Sequence, residues 1–170
     1  RRLTACLTVL SAMTVLACGI AMGVGVGSGR YLALDGLLRT DALAATMLIV
    51  IGVVGTLATW ASIGYIDAEL AHGHTDSSGA RLYGTLTPAF LAAMVVAVCA
   101  NNIGVVWVAI EATTVITAFL VGHRHTRTAL EATWKFLLMN SVGIALALLG
   151  IFCIAISAQR GVPAISLEIH

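Results

Sequence analysis

The run IGVVWVAIEATTVITAFLV, residues 103–121, carries one formal charge, Glu111, in an otherwise apolar or hydroxyl-bearing stretch. A helix of about 20 such residues crosses the roughly 30 Å hydrocarbon core of a bilayer. The run therefore reads as a membrane span. A charge near the middle of such a span costs about 2.5–3.5 kcal/mol on insertion scales, and the flanks carry nothing to offset it along the same helix. The compensation must come from elsewhere in the chain.

Four further runs meet the same length and composition test: residues 3–27, 41–66, 82–100 and 130–157. The chain has 170 residues, 59% of them hydrophobic and 10% charged, with a mean hydropathy of +1.00. A soluble domain is about a quarter charged. The expected fold is all-α: a polytopic membrane protein with about five transmembrane helices, forming a single transmembrane domain over 1–170. Its surroundings are the lipid bilayer of the cell membrane. The net charge of +1 and pI near 7.9 leave no basic stripe for phosphates, so nucleic acid is excluded as a partner.

The connections are short. GSGRYLALDGLLRT closes the first helix with glycines and offers Thr40 or Asp41 as the N-cap of the second. DAELAHGHTDSSGAR reads as the one clearly aqueous loop, Asn101–Asn102 as a tight turn, and GHRHTRTA as the turn into the fifth helix. Such turns make sequential helices antiparallel neighbours. Arg1, Arg2, Arg81, Arg124 and Arg127 gather at one face against Arg30, Arg39 and Arg160 at the other, which places the first group in the cytoplasm.

Two ionisable residues within the spans bear on chemistry. Counting back from the 122–129 turn, Glu111 lies about 15 Å deep and Lys135 about 7 Å. Lys135 is the only lysine in the chain. Burial favours the neutral form of either group, and a nearby opposite charge favours the ionised form. A group held between these pulls exchanges a proton when its partner moves, as a proton relay requires. A direct Glu111–Lys135 pair, a water-bridged contact, and snorkelling of Lys135 to the interface all remain open. Thr113, Thr114 and Thr117 are local hydrogen-bond partners for a neutral Glu111. His123 and His125 either feed protons at physiological pH or simply lie in a solvated loop.

Other features read as structural. Cys6, Cys18, Cys99 and Cys153 sit in apolar runs without metal-ligand spacing, and His72 and His74 read as loop. Pro88 is a kink or a first-turn proline. MGVGVGSG ends a membrane helix and does not follow a strand, so it is not a nucleotide loop. Gly143/Ala147 and Ser141/Ala145 have the small-x-x-x-small spacing that lets helices approach closely. No metal or cofactor site is expected, and no redox centre.

NNIGVVWVAIEATTVITAFLVG, followed by ALEATWKFLLMNSVGIALALLGI, resembles the proton-conducting antiporter-like membrane subunits. These occur in respiratory complex I, group 4 hydrogenases and multisubunit sodium/proton antiporters. WVAIEATT is most similar to the hydrogenase-4 component F type, and LRTDALAATMLIVIGVVGTLATWASIGYI resembles that family's third helix. The resemblance implies that Glu111 occupies the position of the family's proton-path glutamate and Lys135 that of the basic residue of its A-x-W-K segment. It also implies a piece running from just before the family's second helix to just after its sixth. The discontinuous seventh helix, with the glutamate's usual lysine partner, and the second inverted repeat then lie outside it. The implied function is a proton-translocating subunit working with the other membrane subunits of a redox complex. Two alternatives stay open: a non-conducting structural or assembly subunit, and a small transporter that completes its path by oligomerising. The family's topology puts the start of the second helix in the cytoplasm, in agreement with the arginine bias.

Overall fold

The computed structural model describes residues 2–25, 31–71, 77–122 and 127–161. Five helices dominate: α1 (Arg2–Gly25), α2 (Ala42–Ala71), α3 (Ser77–Cys99), α4 (Ile103–Gly122) and α5 (Arg127–Gly161). All five contain a stretch long and apolar enough to cross a membrane. Large apolar side chains are exposed on every helix, among them Leu57, Met139, Leu146 and Phe152. Water would not tolerate so much contiguous apolar surface on a monomer. The chain is an all-α polytopic membrane protein.

The helices extend further than hydropathy alone indicates. The expected aqueous loop is largely helical, because α2 continues through DAELA to Ala71 and α3 begins at Ser77. Asp67, Ala68, Glu69, Leu70 and Ala71 lack a helix breaker, and Glu, Leu and Ala are good helix formers. His72 and His74 lie outside the described residues. The early start of α3 puts Pro88 in the helix interior, where it withholds an N–H from the Gly84 carbonyl. It is thus not a first-turn proline.

Between α1 and α2 the chain forms a hairpin absent from the sequence reading. Strands β1 (Tyr31–Ala33) and β2 (Leu38–Thr40) pair antiparallel, with Ala33 opposite Leu38. Asp35 and Gly36 both have positive φ, at 54° and 86°, and Leu37 N–H donates to the Leu34 carbonyl at 3.1 Å. An Asp-Gly pair suits this turn because both central residues must be left-handed. The hairpin leads into α2 through Asp41, whose Oδ1 accepts from Ala44 N–H at 2.8 Å and whose Oδ2 pairs with Arg39 at 3.2 Å. Asp41, one of the two expected caps, is the N-cap.

Packing is most intimate between α1 and α2. A Cβ placed on Gly52 would come within 2.5 Å of Leu16 Cα, and one on Gly19 within 2.8 Å of the Ile49 nitrogen. Glycine at both positions lets the backbones meet, as small residues do between membrane helices. Leu48, 2% exposed, lies at this crossing. By contrast Ser141, Gly143, Ala145 and Ala147 are exposed on α5, and a Cβ on Gly143 would meet nothing within 4 Å. Their spacing makes no close helix approach among the described residues.

The hairpin ties this pair to the next. Asn101 N–H donates to the Leu37 carbonyl, Asn101 Nδ2 to the Gly36 carbonyl, both at 2.9 Å, and Leu38 bridges Ala100. Asn102 then caps α4, its Oδ1 accepting from Gly104 N–H at 2.8 Å. The Asn101–Asn102 turn therefore both connects two helices and clasps the hairpin.

Candidate functional site: Glu111 on the seam between α4 and α5

Glu111 stands eight residues into α4, about 12 Å from its start and about 16 Å from Gly122 by the helical rise. Its Oε2 is enclosed and has no hydrogen-bond partner among the described residues. A buried polar atom left unpaired costs about 1–3 kcal/mol, and more if charged. The position is costly as a matter of packing alone.

Two contacts set the register of α4 against α5. Trp107 Nε1–H donates to the Ile144 carbonyl at 3.1 Å. At the other end a Cβ on Gly122 would lie 3.1 Å from Thr133 Oγ1. The helices thus run antiparallel along one seam. At about 100° per residue, Trp107, Glu111, Ala118 and Gly122 fall within about 60° of one another round α4. Ile144, Asn140, Leu137 and Thr133 do the same round α5. These four α5 residues are partly protected, as are Leu148 and Ile151 further along the same stripe, while their neighbours to either side are mostly exposed. One turn from Trp107 is Glu111; one turn from Ile144, in the matching direction, is Asn140.

Lys135 falls about 180° round α5 from Ile144, on the outer face. Its Nζ donates to Glu131 Oε1 one turn earlier, with side chains 70% and 64% exposed. The sequence did not indicate this pairing of Lys135 with Glu131 on its own helix, which turns the lysine away from Glu111. Trp134 next to it is exposed, as are Trp60 and Tyr65 toward the corresponding end of α2. Exposed Trp and Tyr gather at membrane–water boundaries.

The threonines are occupied too. Thr113 and Thr114 hydroxyls both donate to the Ile110 carbonyl, at 2.7 and 3.2 Å, and Thr117 donates to Thr113 at 2.7 Å. A threonine has one hydroxyl proton, so none of the three donates to Glu111. His123 and His125 lie outside the described residues. No group of three or more His, Cys, Asp or Glu able to hold a metal occurs among the described residues. Cys6, Cys18 and Cys153 are exposed and Cys99 is buried, all as free thiols.

Neither Trp107 nor Asn140 stands out from charge or spacing. The available signal is periodicity: Trp107 is four residues before Glu111 and so shares its face, and Asn140 interrupts the apolar run FLLMNSVG with an amide.

The chain is 39% identical over 119 residues, 70% of its length, to a hydrogenase-4 component F homolog from Methylacidiphilum infernorum (isolate V4). The aligned part is 25% of that relative, so the chain spans about a quarter of its length. No protein-family model matches the sequence, and no solved structure matches it.

Proposed function

We propose that this chain is a proton-translocating part of a membrane subunit in a hydrogenase-type or related respiratory redox complex, with Glu111 as its intramembrane proton station. The observation that carries this reading is the enclosed, unpartnered Oε2 of Glu111 in the middle of α4. Ionisable groups within spans face bundle interiors and mark ion pathways, and Glu111 lies on a helix–helix seam away from both ends. The named relative supplies the hydrogenase context. Electron chemistry belongs, in this reading, to other subunits, and the partners are the neighbouring membrane subunits and the lipid of the cell membrane.

Lys135 enters the proposal as an interfacial group exchanging with water, since it pairs with Glu131 on the outer face. Thr113 and Thr114 retain lone pairs that can accept from a protonated carboxyl, while His123 and His125 follow α4 in the sequence, where proton exchange with water begins. Proton flux into vesicles bearing the assembled complex tests the reading. Glu111→Gln keeps the shape and removes the exchangeable proton; it should lower flux by about 10²-fold, the scale of losing a proton-transfer group. Wild-type flux with normal assembly would remove Glu111 from the path.

One observation favours a second reading, a non-conducting structural subunit. Among the described residues no basic side chain stands on the α4–α5 seam to answer Glu111. In that case Glu111→Gln leaves flux intact, and Trp107→Ala, which loosens the seam, lowers the yield of assembled complex.

A further inference from the structure

We infer that Asn140 is the positioning residue for Glu111, a carboxamide that exchanges its hydrogen bond between the Phe136 carbonyl and the Glu111 carboxyl. The inference rests on Glu111 being the proton station, and three observations lead to it. Glu111 Oε2 is enclosed without a partner. Counted from the Trp107–Ile144 bond Glu111 is level with Asn140, and counted from the Gly122–Thr133 approach it is level with Ile144, so Asn140 lies within one helical turn of Glu111 on the facing stripe. Asn140, partly protected, spends an Nδ2 proton on the Phe136 carbonyl at 2.9 Å.

That last bond is one the helix can give up. The Phe136 carbonyl already has the Asn140 backbone N–H as its regular helical donor, so releasing the side chain leaves no orphan. The other polar side chain of the stripe between Thr133 and Ile144 is Thr133 itself, whose hydroxyl donates to Ala129 at 2.8 Å and which stands level with Gly122, far from Glu111. Lys135 points the other way. Asn140 is therefore the group placed to serve Glu111 from α5.

An amide is chemically suited to that service. Its N–H₂ donates to a carboxylate, and its carbonyl accepts from a carboxylic acid. Rotation about the last side-chain torsion exchanges the two, and such terminal torsions are broad and roughly two-fold. Asn140 can thus hold the Glu111 side chain in one place through both protonation states, which a purely donating or purely accepting neighbour could not.

The test reads the carboxyl directly in the assembled complex in lipid. The infrared C=O stretch of Glu111 is identified as the band that disappears in Glu111→Gln. Asn140→Leu, close in size but without polar atoms, should move that band to the higher frequency of a carboxyl without a hydrogen bond. Asn140→Gln should bring it back toward wild type. In the opposite direction, the side-chain ¹⁵N resonances of Asn140 should shift in Glu111→Leu. An unmoved band in Asn140→Leu would overturn the inference. Should that variant not assemble, an unmoved Asn140 resonance in Glu111→Leu would do the same. Flux separates this from the wider reading: if Glu111→Gln conducts normally, the relay fails, and the spectra still decide whether the pair exists. Where the relay holds, Asn140→Leu slows flux and Asn140→Gln restores it.

Discussion

Lys135 and Glu111 differ in azimuth as well as in depth, and the outward azimuth of Lys135 sets what its substitution does. An exposed ion pair one helical turn apart contributes only about 0.3–0.5 kcal/mol. Lys135→Met should therefore leave assembly and proton flux within about twofold of wild type, measured in the same vesicles as Glu111→Gln. A fall as deep as that of Glu111→Gln would make Lys135 an obligatory step and not a peripheral group exchanging with water. Depth was readable from residue counts, since the rise per residue is fixed. Azimuth was not, because it depends on which stripe of α5 meets α4, and that is set by Trp107, Ile144, Gly122 and Thr133 together. The threonines illustrate the same limit: Thr113, Thr114 and Thr117 are near Glu111 in sequence, yet their protons go to carbonyls of their own helix.

At the scale of elements, close contact and single hydrogen bonds determine what can be changed. Gly52→Leu would drive a side chain into the backbone of α1. Overpacking of this kind costs about 1–3 kcal/mol, or more where backbone must move, so the thermal midpoint in detergent should fall and α1 should separate from α2. Circular dichroism on heating measures the first, and a loss of cross-linking between cysteines placed at Leu16 and Gly52 neighbours the second. Trp107→Phe keeps an aromatic ring but removes the bond to Ile144, a loss of about 1 kcal/mol; faster amide exchange along the α4–α5 seam would register it. The five spans were legible as apolar runs, and Asp41 as a cap from its side chain and position. The hairpin was hidden because YLALDGLLRT is mostly apolar and its strands are three residues each. Only Asp35–Gly36 marked it.

For the whole molecule, the helices do not share one length. α2 and α5, at 30 and 35 residues, measure about 45 and 52 Å, well beyond the hydrocarbon thickness. Exposed Trp60 and Trp134, a residue type that favours the boundary, are expected to stand where they leave it at one face. A spin label at the exposed Leu146, about 18 Å along α5 from Trp134, should accordingly report an oxygen-rich, water-poor environment and one at Trp134 an interfacial one; equal exposure to a water-soluble relaxant at both sites would contradict this placement. At the far end of the bundle, the clasp between Asn101 and the hairpin joins groups 65 residues apart. At roughly 5–20 residues per second, synthesis reaches Asn101 about 3–13 seconds after Gly36 has been made. For that interval the Gly36 and Leu37 carbonyls have no protein donor from Asn101, and lipid supplies none. They must be kept in water, so the first helix pair cannot finish settling until the second pair delivers its turn. Asn101→Leu should lengthen that wait, and the delay would show as prolonged protease accessibility of the hairpin during membrane insertion.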